Sequence, residues 1–186
     1  MDNIEDLFDD GITDADYDKI AENFGLDLKE LSLEMGNYQP TMDLKYSKSN
    51  DSSVDPIYAY PTDSGFDLHS TEDLTIEPFD RALVPTGLHF DIPDGYEIQV
   101  RSKSGLALKQ GLMVLNSPGT VDQGYTGEIK AIIFNTTNKT IQIPKGQKIA
   151  QAVLSPVVCG KWIKLVNVTN IEDKDRSDKG FGSTGI

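Results

Sequence analysis

Proline and glycine punctuate this chain from residue 57 onward, and they limit the length of anything that can form between them. Ile57-Tyr58-Ala59-Tyr60 stops at Pro61, and the apolar run from Arg81 to Ile92 is interrupted by Pro85 and Gly87. Pro93-Asp94-Gly95 then separates that run from Tyr96 to Val100. In such a tripeptide the proline fixes φ and the glycine accepts a positive φ, so the chain turns. Glu128 to Phe134 runs into the polar loop Asn135-Thr136-Thr137-Asn138-Lys139, followed by the alternating Thr140-Ile141-Gln142-Ile143. Pro144-Lys145-Gly146 turns into Gln147 to Val153, and Lys161 to Val168 supplies one more strand-like run. No stretch after residue 57 sustains the three- and four-residue apolar spacing of an amphipathic helix. The pattern predicts an all-β domain of short strands.

The first forty residues read differently. Tyr17, Ile20, Ala21 and Phe24 form one helical stripe, with Thr13 as N-cap and Gly25 as stop. A second short stripe, Leu28, Leu31 and Met35, ends at Gly36. Two short helices around a glycine suggest a DNA-binding helix-turn-helix, but the charge opposes it. Residues 1–36 hold twelve acids and two bases, and a recognition helix so charged is repelled by phosphates. The remaining 150 residues hold eighteen acids and fifteen bases, so neither part carries a basic nucleic-acid footprint. The segment is expected to be an acidic appendage, available to a protein partner.

At 186 residues the chain has room for one well-buried domain and a small appendage. Residues 47–56 are linker-like in composition. The expected division is a helical extension over 1–45, a β domain over 46–170 and a glycine-rich arm over 171–186. Nothing approaches the apolar run that a membrane span requires. Met1-Asp2-Asn3-Ile4-Glu5-Asp6 is acidic where a secretory signal is basic. Cys159 is the single cysteine, and with only His69 and His89 beside it neither a disulfide framework nor a Cys/His zinc site is expected. The chain therefore reads as cytoplasmic, with no nucleic acid and no membrane among its partners.

Chemistry is concentrated in polar, glycine-containing blocks. Gly180-Phe181-Gly182-Ser183-Thr184-Gly185 matches the dinucleotide-binding pattern Gly-x-Gly-x-x-Gly. That reading fails on context, because the pattern must open a helix and here Ile186 follows. A flexible tail is one reading; an arm ordering over a ligand is the other. In the second, glycine N–H groups and the Ser183 and Thr184 hydroxyls approach phosphate, Arg176 adds a cation, and Phe181 stacks on a nucleobase. Arg101-Ser102-Lys103-Ser104-Gly105-Leu106-Ala107, following a strand, is either a phosphate cradle or a polar turn. Asn116-Ser117-Pro118-Gly119-Thr120-Val121-Asp122-Gln123-Gly124-Tyr125-Thr126-Gly127-Glu128 read alone is a compound turn. Asp67 in Ser64-Gly65-Phe66-Asp67-Leu68, and Gln151 at the end of Gly146-Gln147-Lys148-Ile149-Ala150-Gln151, each have a bland reading as surface or strand polar residues.

Taken in order, these five blocks resemble the five motifs of the trimeric dUTPase family, across residues 64–185. The resemblance implies an all-β, distorted jelly-roll (β-clip) barrel, with residues 1–45 outside it. It implies a homotrimer whose active sites are shared, the tail of one subunit closing over a site formed by two others. The implied reaction is hydrolysis of dUTP to dUMP and pyrophosphate, which limits uracil in DNA and supplies dUMP for dTMP synthesis. Asp122 is then the general base, positioning water for in-line attack on the α-phosphorus. Tyr125 lies against the deoxyribose and excludes a 2′-hydroxyl. Main-chain groups of a hairpin over 116–130, with Asn116, Thr120, Val121 and Lys130, read uracil. Lys103, Ser104, Gly105, Gln151, Arg176, Gly182 and Ser183 bind substrate, and Phe181 stacks over the base. Asp67 and Gln151 contact Mg²⁺ through its water shell.

Three positions depart from the family pattern. Lys103 stands where arginine is usual before Ser-Gly, keeping the charge and losing the bidentate fork, with Arg101 two residues earlier. Lys148 stands where arginine is frequent and reads as a structural difference. Ser177-Asp178-Lys179 replaces a more glycine-rich stretch. A dCTP deaminase resembles this fold, but its chemistry needs a carboxylate on the strand after the third motif. Lys130-Ala131-Ile132-Ile133-Phe134 has none. A regulatory protein using the nucleotide site as a switch, with residues 1–45 facing its partner, is the reading from another class. A purely structural jelly roll leaves the ordered motifs unexplained.

Overall fold

The computed structural model describes residues 42–174. The helical expectation for the N-terminal segment therefore lies outside the described residues, as do Arg176, Phe181, Gly182 and Ser183. From Leu44 the chain forms one unit. Its elements are β1 (Lys45–Lys48), β2 (Phe66–His69), β3 (Leu74–Ile76), β4 (Arg81–Asp91), β5 (Tyr96–Arg101), α1 (Ser104–Gln110), β6 (Leu112–Val114), β7 (Gly119–Val121), β8 (Ile129–Asn135), β9 (Ile141–Ile143) and β10 (Lys148–Pro156). Strands dominate, and the domain is all-β and jelly-roll-like.

Two four-stranded sheets, in the orders β1-β4-β8-β6 and β2-β10-β5-β7, bury their inner faces in a common core; β3 pairs with β9 beside them. Alternation explains the core. Ile129, Ala131 and Ile133 of β8 point inward, as do Ile98 and Val100 of β5 and Phe66 and Leu68 of β2. Side chains two apart share a face of a strand, so each short run contributes two or three apolar groups to one side. Asn135 ends β8 fully buried and fully partnered. Its Nδ2 donates to the carbonyls of Ile76, Glu77 and Lys139, and its Oδ1 accepts from the Thr137 N–H and hydroxyl. One amide thus ties the end of β3 to the loop after β8 without an unsatisfied group.

Several expectations are corrected. Ile57 to Tyr60 forms no strand: flanked by prolines and without a neighbouring edge, it lies over the core, and Tyr58 meets Phe66 edge-on with ring centroids 5.6 Å apart. Lys161 to Val168 forms no strand either. Its first two residues belong to a short 3-10 turn, Gly160–Trp162, and the rest exposes Leu165 at 93% with no partner strand beside it among the described residues. The supposed linker over 47–56 is part of the fold, for β1 pairs antiparallel with β4 and Ser53 is buried. Helix α1 was not expected. Leu106-Ala107-Leu108-Lys109-Gln110 are good helix formers, but seven residues with none buried leave no apolar stripe to detect.

Ser53 explains one glycine. Between Pro85 and Leu88 the β4–β8 register shifts, and Gly87 there has φ 66°. A Cβ at Gly87 would lie 1.9 Å from the Ser53 hydroxyl, so neither the backbone nor the space admits a side chain. No helix among the described residues is long and apolar enough to cross a membrane.

Candidate active site

The turn after β7 carries the first half of the site. Strand β7 pairs with β5, setting Val121 opposite Ile98, and the chain returns as β8 at Ile129. Between them, Asp122, Tyr125 and Glu128 border a cavity of about 300 Å³. Asn116, Thr120, Val121, Asp122, Tyr125 and Lys130 all line it, together with apolar Leu83, Val100 and Ile132. Apolar walls with a few convergent polar groups suit a flat ring and its sugar. The Tyr125 N–H donates to the Asp122 carbonyl at 2.9 Å, and its hydroxyl donates to the Glu128 carbonyl at 3.0 Å. The ring lies across Gly127, where a Cβ would come within 2.6 Å of it. Glu128 anchors the far side: its carboxylate accepts the Gly87 N–H at 2.8 Å and pairs with Lys130 at 3.3 Å.

The second half is built on the opposite edge of the same sheet. Asp67 on β2 stands opposite Gln151 on β10, which stands opposite Arg101 on β5, so the three share one face. Lys103 and Lys148 each donate to the Asp67 carboxylate, Lys148 at 2.7 Å. Burial pushes this carboxyl up, but the two lysine hydrogen bonds and their charge outweigh it and hold it below the ordinary 3.8. Asp67 therefore stays ionised throughout the neutral range. Gln151 donates its Nε2 to the Ser102 carbonyl at 2.9 Å, which leaves its Oε1 to accept. Ser104 and Gly105 open α1, whose first bond runs from the Ala107 N–H to the Lys103 carbonyl. Their own N–H groups consequently have no partner within the helix and suit an anion. Asp67, Lys103 and Gln151 line a cavity of about 250 Å³ with Ile57, Ala59, Asp63, Ser64 and Gly65.

These halves do not meet within the chain. Strands β10 and β5 lie between β2 and β7, and Asp122 emerges near the Glu97 end of β5, whereas Gln151 pairs at its Arg101 end. Three strand spacings across and about four residues along separate Asp122 from Asp67 by roughly 15–20 Å. No residue lines both cavities. Lys148, read in the sequence as a structural difference, is drawn into the Asp67 cluster. Only the strand pairing reveals this, since Lys148 and Asp67 are far apart in sequence. Arg101, in contrast, spends two N–H groups on the Gln99 Oε1, at 3.0 and 2.6 Å.

The class that emerges is an all-β, jelly-roll-like protein whose polar site is divided between two edges of one sheet. Residues 51–185 match the family model for dUTPase. Relatives bearing the name deoxyuridine 5'-triphosphate nucleotidohydrolase include that of Nautilia profundicola, 47% identical over 144 residues covering 77% of this chain and 99% of the relative. The Hydrogenobaculum sp. relative is 45% identical over 78% of this chain and 99% of its own length. Among solved structures, the dUTPase of Staphylococcus bacteriophage 80alpha with dUpNHpp superposes with a TM-score of 0.71 at 26% identity, covering 78% of this chain and 100% of that one. A mutant dUTPase from phage phi11 of S. aureus, described for its coordination of a structural Mg(II) ion, gives 0.63 at 25% identity over 69% and 98%. The chain belongs to the dUTPase family.

Proposed function

We propose that this chain hydrolyses dUTP to dUMP and pyrophosphate as a homotrimer, each site joining the Asp122 half of one subunit to the Asp67 half of the next. The separation of those halves is the observation that carries the proposal. A base and the groups holding the same triphosphate act within a few ångströms of one phosphorus, and about 15–20 Å is too far. A second chain that abuts the first closes the gap. The exposed run of Val158, Ile163, Leu165, Val166, Val168 and Ile171 supports an assembly, because such an apolar segment gains most when another subunit covers it. Within this reading the chain divides into an extension over 1–45, a catalytic domain over 46–170 and an arm over 171–186.

In the assembled site Asp122 takes a proton from water as the water oxygen bonds to the α-phosphorus. The bond from that phosphorus to its bridging oxygen breaks in line, and pyrophosphate leaves. Tyr125 stands against the deoxyribose. Asn116, Thr120, Val121 and Lys130, with the main chain of their hairpin, surround the uracil. Lys103, Ser104 and Gly105 receive phosphate oxygens, and the arm of a third subunit brings Arg176, Phe181, Gly182 and Ser183 over the substrate. Removal of dUTP keeps uracil out of DNA, and the dUMP formed serves dTMP synthesis.

Asp67 and Gln151 fit Mg²⁺ held through water. No group of three metal-ligating side chains occurs among the described residues, which suits an ion that keeps most of its water and takes its remaining ligands from phosphates. Asp67 retains lone pairs beyond the two its lysines use, and Gln151 offers Oε1. When bound, the ion neutralises charge on the triphosphate. The setting is cytoplasmic, of cellular or viral origin.

Pyrophosphate release from dUTP, compared with dTTP, dCTP and UTP, tests the activity. Turnover confined to dUTP and lost with EDTA is expected. Ammonia released from dCTP, or no turnover by folded trimer, would sink it. A regulatory role beside hydrolysis is favoured by one observation: the 80alpha phage dUTPase is described as acting by a G protein-like mechanism in control of virulence-gene transfer. Here the acidic residues 1–45 are the partner-facing part, and a chain lacking them is expected to lose that interaction while retaining hydrolysis. If truncation alters no interaction, the partner role fails.

A further inference from the structure

The turn bearing Tyr125 is held from behind by a residue that no part of the reaction has yet used. His89 lies on β4, two residues beyond Gly87. Its Nδ1 is 3.1 Å from the Thr126 carbonyl, and its Nε2 is 2.7 Å from the Ser49 hydroxyl. A carbonyl oxygen only accepts, so Nδ1 carries the proton and donates it. The Ser49 hydroxyl then fixes the ring from its other nitrogen. Ser49 is itself held, its N–H donating to the Gly87 carbonyl at 2.8 Å just after the β1 edge strand. Two residues of β4 therefore grip the turn on either side of Gly127: His89 at Thr126, and the Gly87 N–H at the Glu128 carboxylate.

This grip acts on the Tyr125 ring. The ring is tied at one end by the Tyr125 N–H to Asp122 and at the other by its hydroxyl to the Glu128 carbonyl, and it rests on the bare face of Gly127. It is half exposed at 48%, so packing alone does not fix it. Its place depends on the course of the main chain from 125 to 128. Of the two anchors, the one through Glu128 also lines the substrate cavity and pairs with Lys130, whereas His89 holds the turn from behind without lining that cavity.

We propose that His89 is a positioning residue for sugar discrimination, holding the Thr126 carbonyl so that the Tyr125 ring stays where a 2′-hydroxyl would sit. The proposal rests on the reading of Tyr125 as the deoxyribose wall. A loosened wall costs selectivity before it costs chemistry, because Asp122 precedes the gripped segment and directly follows the paired strand β7. The expected signature is a rise in kcat/KM for UTP and in KM for dUTP, with kcat for dUTP little changed.

Steady-state kinetics on dUTP and UTP for wild type, His89→Asn, His89→Gln and Tyr125→Ala test this. An asparagine amide nitrogen takes the place of Nδ1, whereas a glutamine amide nitrogen takes that of Nε2. His89→Asn is expected to keep the dUTP-to-UTP preference within about threefold, and His89→Gln to lose about tenfold, with kcat for dUTP within about threefold in both. Equal preference in wild type and His89→Gln, while Tyr125→Ala relaxes it, overturns the role of His89 and spares that of Tyr125. Unchanged preference in Tyr125→Ala overturns the Tyr125 reading and the His89 role together. An equal loss in the asparagine and glutamine variants makes His89 a packing residue and also overturns the proposal.

Discussion

Asp122→Asn is expected to slow pyrophosphate release from dUTP by about a thousandfold, with substrate binding held within about threefold of wild type. The substitution is nearly isosteric and leaves the main chain of the turn intact. The Asp122 carbonyl, not its carboxylate, receives the Tyr125 N–H, so the sugar wall survives the change. What disappears is the proton acceptor. A positioned general base contributes typically a hundred- to ten-thousandfold, and about a thousandfold corresponds to about 4 kcal/mol of barrier. The slow variant also permits dUTP itself to be titrated by calorimetry. A rate loss below about tenfold would mean that another group takes the proton. A parallel loss of binding would mean that Asp122 holds the turn rather than the water.

Different parts of this molecule were legible for different physical reasons. The core of β8 was visible because Ile129, Ala131 and Ile133 alternate with outward residues, and period two is a strong local signal. Asp122 and Tyr125 were visible through resemblance alone, since a Gly- and Asp-rich turn has no intrinsic mark of catalysis. Helix α1 was invisible because only Leu106 of its seven residues packs against the core, and one contact makes no apolar stripe. Lys148 was invisible as a partner of Asp67 because cross-strand pairing joins residues distant in sequence, and only the register of β10 against β2 brings them together. The grip of His89 on Thr126 belongs to the same kind, a contact set by how the turn lies on β4. Ile57 to Tyr60 and Lys161 to Val168 failed in the opposite direction. Their residues favour strands, but a strand needs an edge to pair with, and within the described chain neither finds one.

That missing partner bears on the second large prediction, which separates a shared site from one built in a single chain. Asp67→Ala and Asp122→Asn are each expected to be nearly inactive alone, because each removes one half of every site. Co-expressed with different tags and purified as mixed trimers, they should recover about a third of wild-type activity, and the unfractionated pool about a quarter. In a cyclic trimer with both kinds of subunit, one of three junctions joins an intact Asp122 half to an intact Asp67 half; random assembly puts about three-quarters of trimers in that state. The recovery should depend on mixing within the trimer, so blending the two separately assembled proteins should restore nothing until the subunits exchange. If purified mixed trimers stay at background, each site lies within one chain. The separation of Asp67 from Asp122 across β10 and β5 would then have to be closed by a rearrangement of the sheet, which its buried core of Phe66, Ile98, Val100 and Ala152 strongly opposes.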